Sequence, residues 1–299
     1  MSPEIQAPDW AWYYIAVYFF IAGTAAGAYF IGSLEVLFGG EKQHEISRPA
    51  YYIAFPLLTV LPVPLIADLG RPERFWHLFF YLKGGYPYVD LQSPMSVGSW
   101  CLLLFSGFAL LSFIDNLIAD RHLTWVPFST AYNRVPRRVY ALFGSLTGFF
   151  VAGYTGVLLN VTAQPFWAIA APFLGPLFLV SGASTGAAAI ALFMLWRKSS
   201  TPATMAKLER FDRVVMVAEL LLVALILSFA GKYAAALFSG TYLVLFWGGA
   251  VGTGIVLPLS IGWLSRKADA TPRQVLVSSI LALVGGSLLR ICLLQAGQV

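Results

Sequence analysis

The residues with most chemistry to offer lie between two long apolar runs, in the stretch Ala67–Trp100, ADLGRPERFWHLFFYLKGGYPYVDLQSPMSVGSW. It carries the carboxylates Asp68 and Glu73, the cations Arg71 and Arg74, the imidazole of His77 and a series of aromatic rings ahead of Ser93-Pro94. A carboxylate whose pKa is set by burial and neighbours can exchange a proton with a ligand. The same charges can instead form surface ion pairs on a loop helix or a contact for another protein. Asp68 could also cap a helix starting near Arg71-Pro72, since Asp ahead of a first-turn proline suits a helix N-terminus. A connection of this length often marks function.

A second set of candidates lies inside the apolar runs. Ionisable groups at membrane depth cost about 2.5–3.5 kcal/mol each at mid-helix on insertion scales. Glu219 is within one run, Glu35 in the last turns of another and Asp115 near the end of a third, while Arg290 lies in the last run. Glu35 and Asp115 have a plain alternative, reaching the nearby interface. Glu219 has less escape, so it is a candidate for a proton path or a buried pair, with Arg290 or a backbone carbonyl as partner. Tyr154 sits in GYTGVLLNV between Gly153 and Gly156, which let another body come close, and Asn160 follows it. Tyrosine there also fits the interfacial aromatic belt.

Other chemistries are excluded by composition. The three histidines, His44, His77 and His122, fall in connections, so axial ligands for a heme inside a helix bundle are missing. Cys101 and Cys292 are the only cysteines, too few for an iron–sulfur cluster. No metal-ligand spacing and no phosphate-binding glycine motif occurs. The net charge of +5 does not point to nucleic acid, because basic residues in such a sequence mostly set topology.

The elements that must position these residues are membrane helices. The chain has 299 residues, 59% hydrophobic and 11% charged, against about 25% charged in a soluble domain. Apolar runs long enough to span lie near 11–38, 49–67, 94–117, 138–159, 166–196, 212–230, 241–264 and 275–296. They are continuous rather than alternating, which favours eight helices over a barrel. Trp10 onward reads as a retained helix, not a signal peptide. Pro56, Pro62 and Pro64 must kink or break the second run. The odd connections carry Lys42 and Arg48; Arg121, Arg134, Arg137 and Arg138; Arg197, Lys198, Lys207, Arg210 and Arg213; Arg266, Lys267 and Arg273. The even ones carry only Arg71, Arg74, Lys83 and Lys232. The positive-inside rule therefore puts the odd connections in the cytoplasm, with both termini and the Ala67–Trp100 loop outside. That outer half gathers aromatics, amides and Asp68, which suits an amphiphilic ring ligand.

FFIAGTAAGA in the first run is echoed by FLVSGASTGA in the fifth, Gly23 and Gly27 matching Gly182 and Gly186. Two parallel four-helix halves, 11–159 and 166–296, would explain this. So would close helix packing through small residues.

Several motifs in order, FFIAGTAAGA, DLGRPERFWH with SPMSVGSW, GYTGVLLNVTAQPFW, FLVSGASTGAAAI and GGSLLRICLLQAG, resemble the NrfD / polysulfide-reductase membrane-subunit family over essentially the whole length. The resemblance implies an all-α integral membrane protein of eight helices in two four-helix bundles, in the bacterial inner membrane and in contact with membrane lipid. It implies no heme and no iron–sulfur cluster of its own. Proteins like this react with menaquinone or ubiquinone near the outer face. They exchange electrons with a ferredoxin-like subunit holding four iron–sulfur clusters, itself attached to a molybdopterin enzyme. Carried over by position, Tyr154 matches the tyrosine that bonds a quinone oxygen and Asp68 a proposed proton acceptor. Ile15 and Tyr18 stand where the polysulfide-reductase branch has Asn and His. Arg71, Arg74 and His77 fall on the docking surface. Read without the resemblance, the same residues also suit a secondary transporter or a passive anchor for a redox enzyme.

Overall fold

The computed structural model describes residues 12–39, 44–83, 86–120, 134–160, 162, 164–199, 201–264 and 271–298. Trp10, Lys42, Arg121, His122, Arg266 and Lys267 lie outside them. The described residues contain eight helical segments long and apolar enough to cross a membrane, as the apolar runs require.

The first helix, α1 (Trp12–Phe38), is followed by α2 (Ser47–Val60) and α3 (Pro62–Ala67). Those two form the second span, and the expected break falls at Leu61, between Pro56 and Pro62. Then come a 3-10 helix (Pro72–Leu78), strands β1 (Tyr81–Lys83) and β2 (Tyr86–Tyr88), and α4 (Pro94–Ala119). The strands pair antiparallel, Tyr81 opposite Tyr88, so the fold is not purely α. The cause is local: aromatic, strand-prone segments flank the dipeptide Gly84-Gly85 in the sequence, a hairpin signal.

After α4 come α5 (Arg134–Asn160), α6 (Pro165–Arg197) and α7 (Pro202–Ala230). The last starts ten residues earlier than residue 212, the start of the apolar run, because Thr201 caps its first turn ahead of Pro202. A 3-10 segment, Gly231–Phe238, leads to the short α8 (Gly240–Tyr242), a π-helical stretch (Leu243–Val256) and α9 (Leu257–Leu264), which together make the seventh span. The final helix, α10 (Pro272–Ala296), opens on a Thr271/Gln274 capping box.

The centre of the bundle is α1 against α6. Each also packs on α5 and α10, while α4 lies on α5 and α2, and the π-helical stretch lies on α10. Small residues make the central crossing possible. A Cβ on Gly27 would strike the Gly182 carbonyl, and one on Gly186 would strike the backbone of Gly27 and Ala28. Leu103, Leu104, Leu146 and Leu221 are exposed on the outside of the bundle, as lipid-facing side chains must be. The starts of α1 and α4, and the ends of α3 and α5, share one end of the molecule, called here the N-terminal face.

Candidate functional site

Asp68 is the residue that ends α3, its N–H bonded to Pro64 and Ile66 carbonyls. It does not cap the next helix: Arg71 holds that position without a side-chain cap. Asp68 lines a cavity instead. Burial pushes its pKa above the ordinary carboxylate value.

Tyr154 reaches the same cavity from α5. Its hydroxyl donates to the Pro94 carbonyl at 2.6 Å, and Phe150 stacks beside it with ring centroids 5.6 Å apart. Gly98 of α4 lies against the Tyr154 ring. A Cβ on Gly98 would collide with that ring and come within 2.7 Å of the hydroxyl. The α4 helix is fixed here by its own start, where Ser93 accepts from the Ser96 N–H and Pro94 takes the first helical position.

Together these elements enclose about 510 Å³. Ile15, Tyr18 and Phe19 of α1 line it, with Leu65, Asp68, Met95, Ser99 and Tyr154 among the other walls. This size is in the range of small-molecule sites, and an apolar wall with a few convergent polar groups is their usual make-up. Four sequence candidates, Ile15, Tyr18, Asp68 and Tyr154, thus meet in one place. Asn160 does not join them: its side-chain amide donates to the Ala171 carbonyl at 3.0 Å, tying the end of α5 to α6.

The matching sequence family is described as "Polysulphide reductase, NrfD", and its match covers residues 4–299. The protein belongs to this family. Protein NrfD of Escherichia coli is 29% identical, with 97% of this chain and 95% of that protein covered. A polysulfide reductase subunit of Wolinella succinogenes is 28% identical, over 97% and 94%. A selenate reductase subunit of Mesobacillus selenatarsenatis is 24% identical, over 89% and 69%. This NrfD-family protein is accordingly a multi-pass membrane protein, similar to membrane subunits of reductases.

Beside the cavity of the NrfD-family protein, Arg71, Arg74 and His77 are exposed on the 3-10 segment. They edge a shallow depression of about 330 Å³ that shares Leu69 and Leu78 with the cavity wall. His77 Nδ1 lies 3.1 Å from the Arg74 carbonyl, and its ring stacks on Trp76. Trp100 anchors the loop to α4 by donating to the Phe79 carbonyl at 3.0 Å.

The intramembrane ionisable residues separate into two groups. Arg290 is fully buried on α10. Its Nε donates to the Phe19 carbonyl at 3.2 Å, and its Nη1 to Gly286 O at 2.7 Å and Ser181 Oγ at 3.1 Å. Rings of Phe20 and Phe178 lie 5.8 and 5.7 Å from the guanidinium carbon. Ser181 also bonds the buried Glu219, so Arg290 and Glu219 share a hydroxyl. One helical level away, Asp212 accepts from Ser184 at 2.7 Å. Sequence reading missed Asp212. Its signal is the spacing of Glu209, Asp212 and Glu219, which puts three carboxylates on one face of α7.

Glu35 and Asp115 are at the opposite face. Glu35 accepts the Ile46 and Ser47 N–H groups, the nearer at 2.7 Å, and so satisfies the start of α2. Asp115 accepts from the Tyr140 hydroxyl. At the same face Arg48 pairs with Asp120 at 3.2 Å. The His44 pKa there is lowered by burial and by nearby Arg137, against a raising effect of Glu35.

Proposed function

We propose that this protein is the quinone-reactive membrane subunit of a multisubunit respiratory oxidoreductase in a bacterial inner membrane. The carrying observation is the cavity in which Asp68 and Tyr154 meet between apolar walls. A quinone ring fits that chemistry, with a hydroxyl for one oxygen, a carboxylate for its proton and an apolar path for its tail. The names of the relatives, a polysulfide reductase subunit and a selenate reductase subunit, support the assignment to a reductase complex.

Quinol oxidation releases two electrons and two protons. Tyr154 exchanges the Pro94 carbonyl for a quinone oxygen, one acceptor for another, without carrying charge. Asp68 takes one of these protons from a quinol hydroxyl as it becomes a carbonyl, the other leaving to solvent at the N-terminal face, and its raised pKa suits that task near neutral pH better than an ordinary carboxylate does. In the opposite direction the same groups deliver protons to a quinone, either menaquinone or ubiquinone. Electrons pass to or from a ferredoxin-like subunit with four iron–sulfur clusters, itself joined to a molybdopterin enzyme. That partner docks on the exposed Arg71, Arg74 and His77 beside the cavity. The N-terminal face points outward in this reading, as the placement of Lys and Arg requires.

The test is quinol-linked turnover of the assembled complex. Asp68→Asn removes the base and reduces turnover by about 10²-fold or more. Tyr154→Phe weakens quinol binding while the subunits still copurify. Wild-type turnover in both variants would refute the assignment.

A further inference from the structure

The N-terminal face carries a second cavity, of about 590 Å³, in the other half of the sequence. Its position follows from an internal symmetry. Gly23 and Gly27 of α1 match Gly182 and Gly186 of α6 in sequence, and matched residues are those that touch. A Cβ on Gly182 would meet the Gly23 backbone, and one on Gly186 the Gly27 backbone. Two parallel helices meet like-on-like in this way when an axis along the bundle relates them. The neighbours obey the same rule. The packing of α5 on α1 is repeated by α10 on α6, and that of α4 on α5 by the π-helical stretch on α10.

The two cavities share corresponding positions on two of their walls, although Ile15, Tyr18 and Phe19 of α1 also line the first and no residue of α6 lines the second. Ser93 opens α4 and Ser239 opens the seventh span, both in extended backbone. The first cavity uses Pro94, Met95 and Ser99. The second uses Gly240, Thr241 and Leu245, at identical spacing. From α5 come Tyr154 and Leu158, and from α10 come Ile291 and Gln295, each pair one helical turn apart.

We infer that the second cavity is a ligand site, the symmetry mate of the first, and that it takes a carbonyl-bearing amphiphile. Its polar groups are the hydroxyls of Thr241 and Tyr242 and the amide of Gln295, while the Ser239 hydroxyl donates to the Ala236 carbonyl at 3.4 Å. These donors suit ester or ring carbonyls. Leu245, Leu288 and Ile291 supply an apolar wall for a tail. It has no counterpart of Asp68 among its lining residues, so an occupant is held there without proton exchange. A diacyl lipid and a quinone both have the required carbonyls.

Mass spectrometry of the intact complex tests this, after delipidation and resupply with either dioleoylphosphatidylethanolamine or decylubiquinone. Wild type retains one of these probes at a level reduced about fivefold in Gln295→Leu, which removes a hydrogen bond. Leu245→Trp, which fills the cavity, reduces it at least as much. Quinol turnover is unchanged in both, and Tyr154→Phe keeps the extra bound molecule. The probe that shows the difference names the source. Equal retention of both probes by wild type and both variants would overturn the inference. Because bound mass is read, that result is separable from any failure of the redox assignment at the first cavity.

Discussion

Two of the polar clusters at or within the membrane-spanning part of this protein are built on opposite terms. Around Arg290, the protein supplies carbonyls, a serine hydroxyl and two aromatic faces, with Glu219 on the far side of that serine. Around Asp68 and Tyr154, much of the surrounding surface is a cavity. A buried charge whose Nε and Nη1 are met by protein carbonyls and a hydroxyl, with Nη2 lacking a hydrogen-bond partner among the described residues, holds helices in place. A carboxylate lining an open, apolar-walled space, beside a phenol whose hydroxyl rests on a backbone carbonyl, can receive a molecule. The difference shows that burial of an ionisable group is a weak guide to chemistry, and that what its polar atoms face decides.

This contrast can be broken in several places. The largest effect is expected at Arg290. Arg290→Leu strips the Phe19 and Gly286 carbonyls and the Ser181 hydroxyl of their charged donor and should destabilise the fold by about 3–5 kcal/mol. Thermal unfolding in detergent measures it; an unchanged transition would mean that the cluster is not structural. Next comes Gly98. Gly98→Ala drives the Tyr154 ring from its seat, and a displacement of about 1 Å should cost on the order of 10²-fold in quinol turnover, with stability little affected. Normal kinetics would show that Tyr154 is not held for reaction.

The pH dependence is a smaller and sharper signal. Protonated Asp68 cannot accept a proton, and its pKa is raised by burial. The acidic limb of the turnover profile should therefore lie above the ordinary carboxylate range, and Asp68→Asn should abolish it. The sign for stability is the matching one. Ionising Asp68 is disfavoured in the fold, so its contribution is greatest at low pH and is lost as pH rises through the folded-state pKa. The smallest effect belongs to the Arg48–Asp120 pair, whose arginine is half exposed. Arg48→Ala should cost less than about 1 kcal/mol and leave turnover unaltered.

Much of this was legible in the residues. The eight spans follow from apolar run length, and the break in the second span from Pro62. The meeting of Tyr18, Asp68 and Tyr154 follows from the direction of each span, since the starts of the first and third spans and the ends of the second and fourth share a face. Asn160 was legible only as a polar group at the right depth; its angular position on α5 turns it to the Ala171 carbonyl. Asp212 was overlooked because it stands at the edge of an apolar run, where an acid normally reaches solvent, and tertiary packing leaves it half-buried against Ser184. The π-helical stretch Leu243–Val256 has no periodicity signal separable from an α-helix in so apolar a segment. The second cavity was not legible, because it is formed between the ends of two distant spans and only two short glycine motifs hint at a repeat.

The central claim is that a quinone ring sits between Asp68 and Tyr154. A cryo-electron microscopy map of the intact complex with a saturating quinone analogue tests it most directly. The account predicts ring density in the first cavity, one oxygen within hydrogen-bonding distance of the Tyr154 hydroxyl, the Asp68 carboxylate near the other, and the tail leaving past Met95. An empty first cavity, or ring density only elsewhere in the complex, would contradict it.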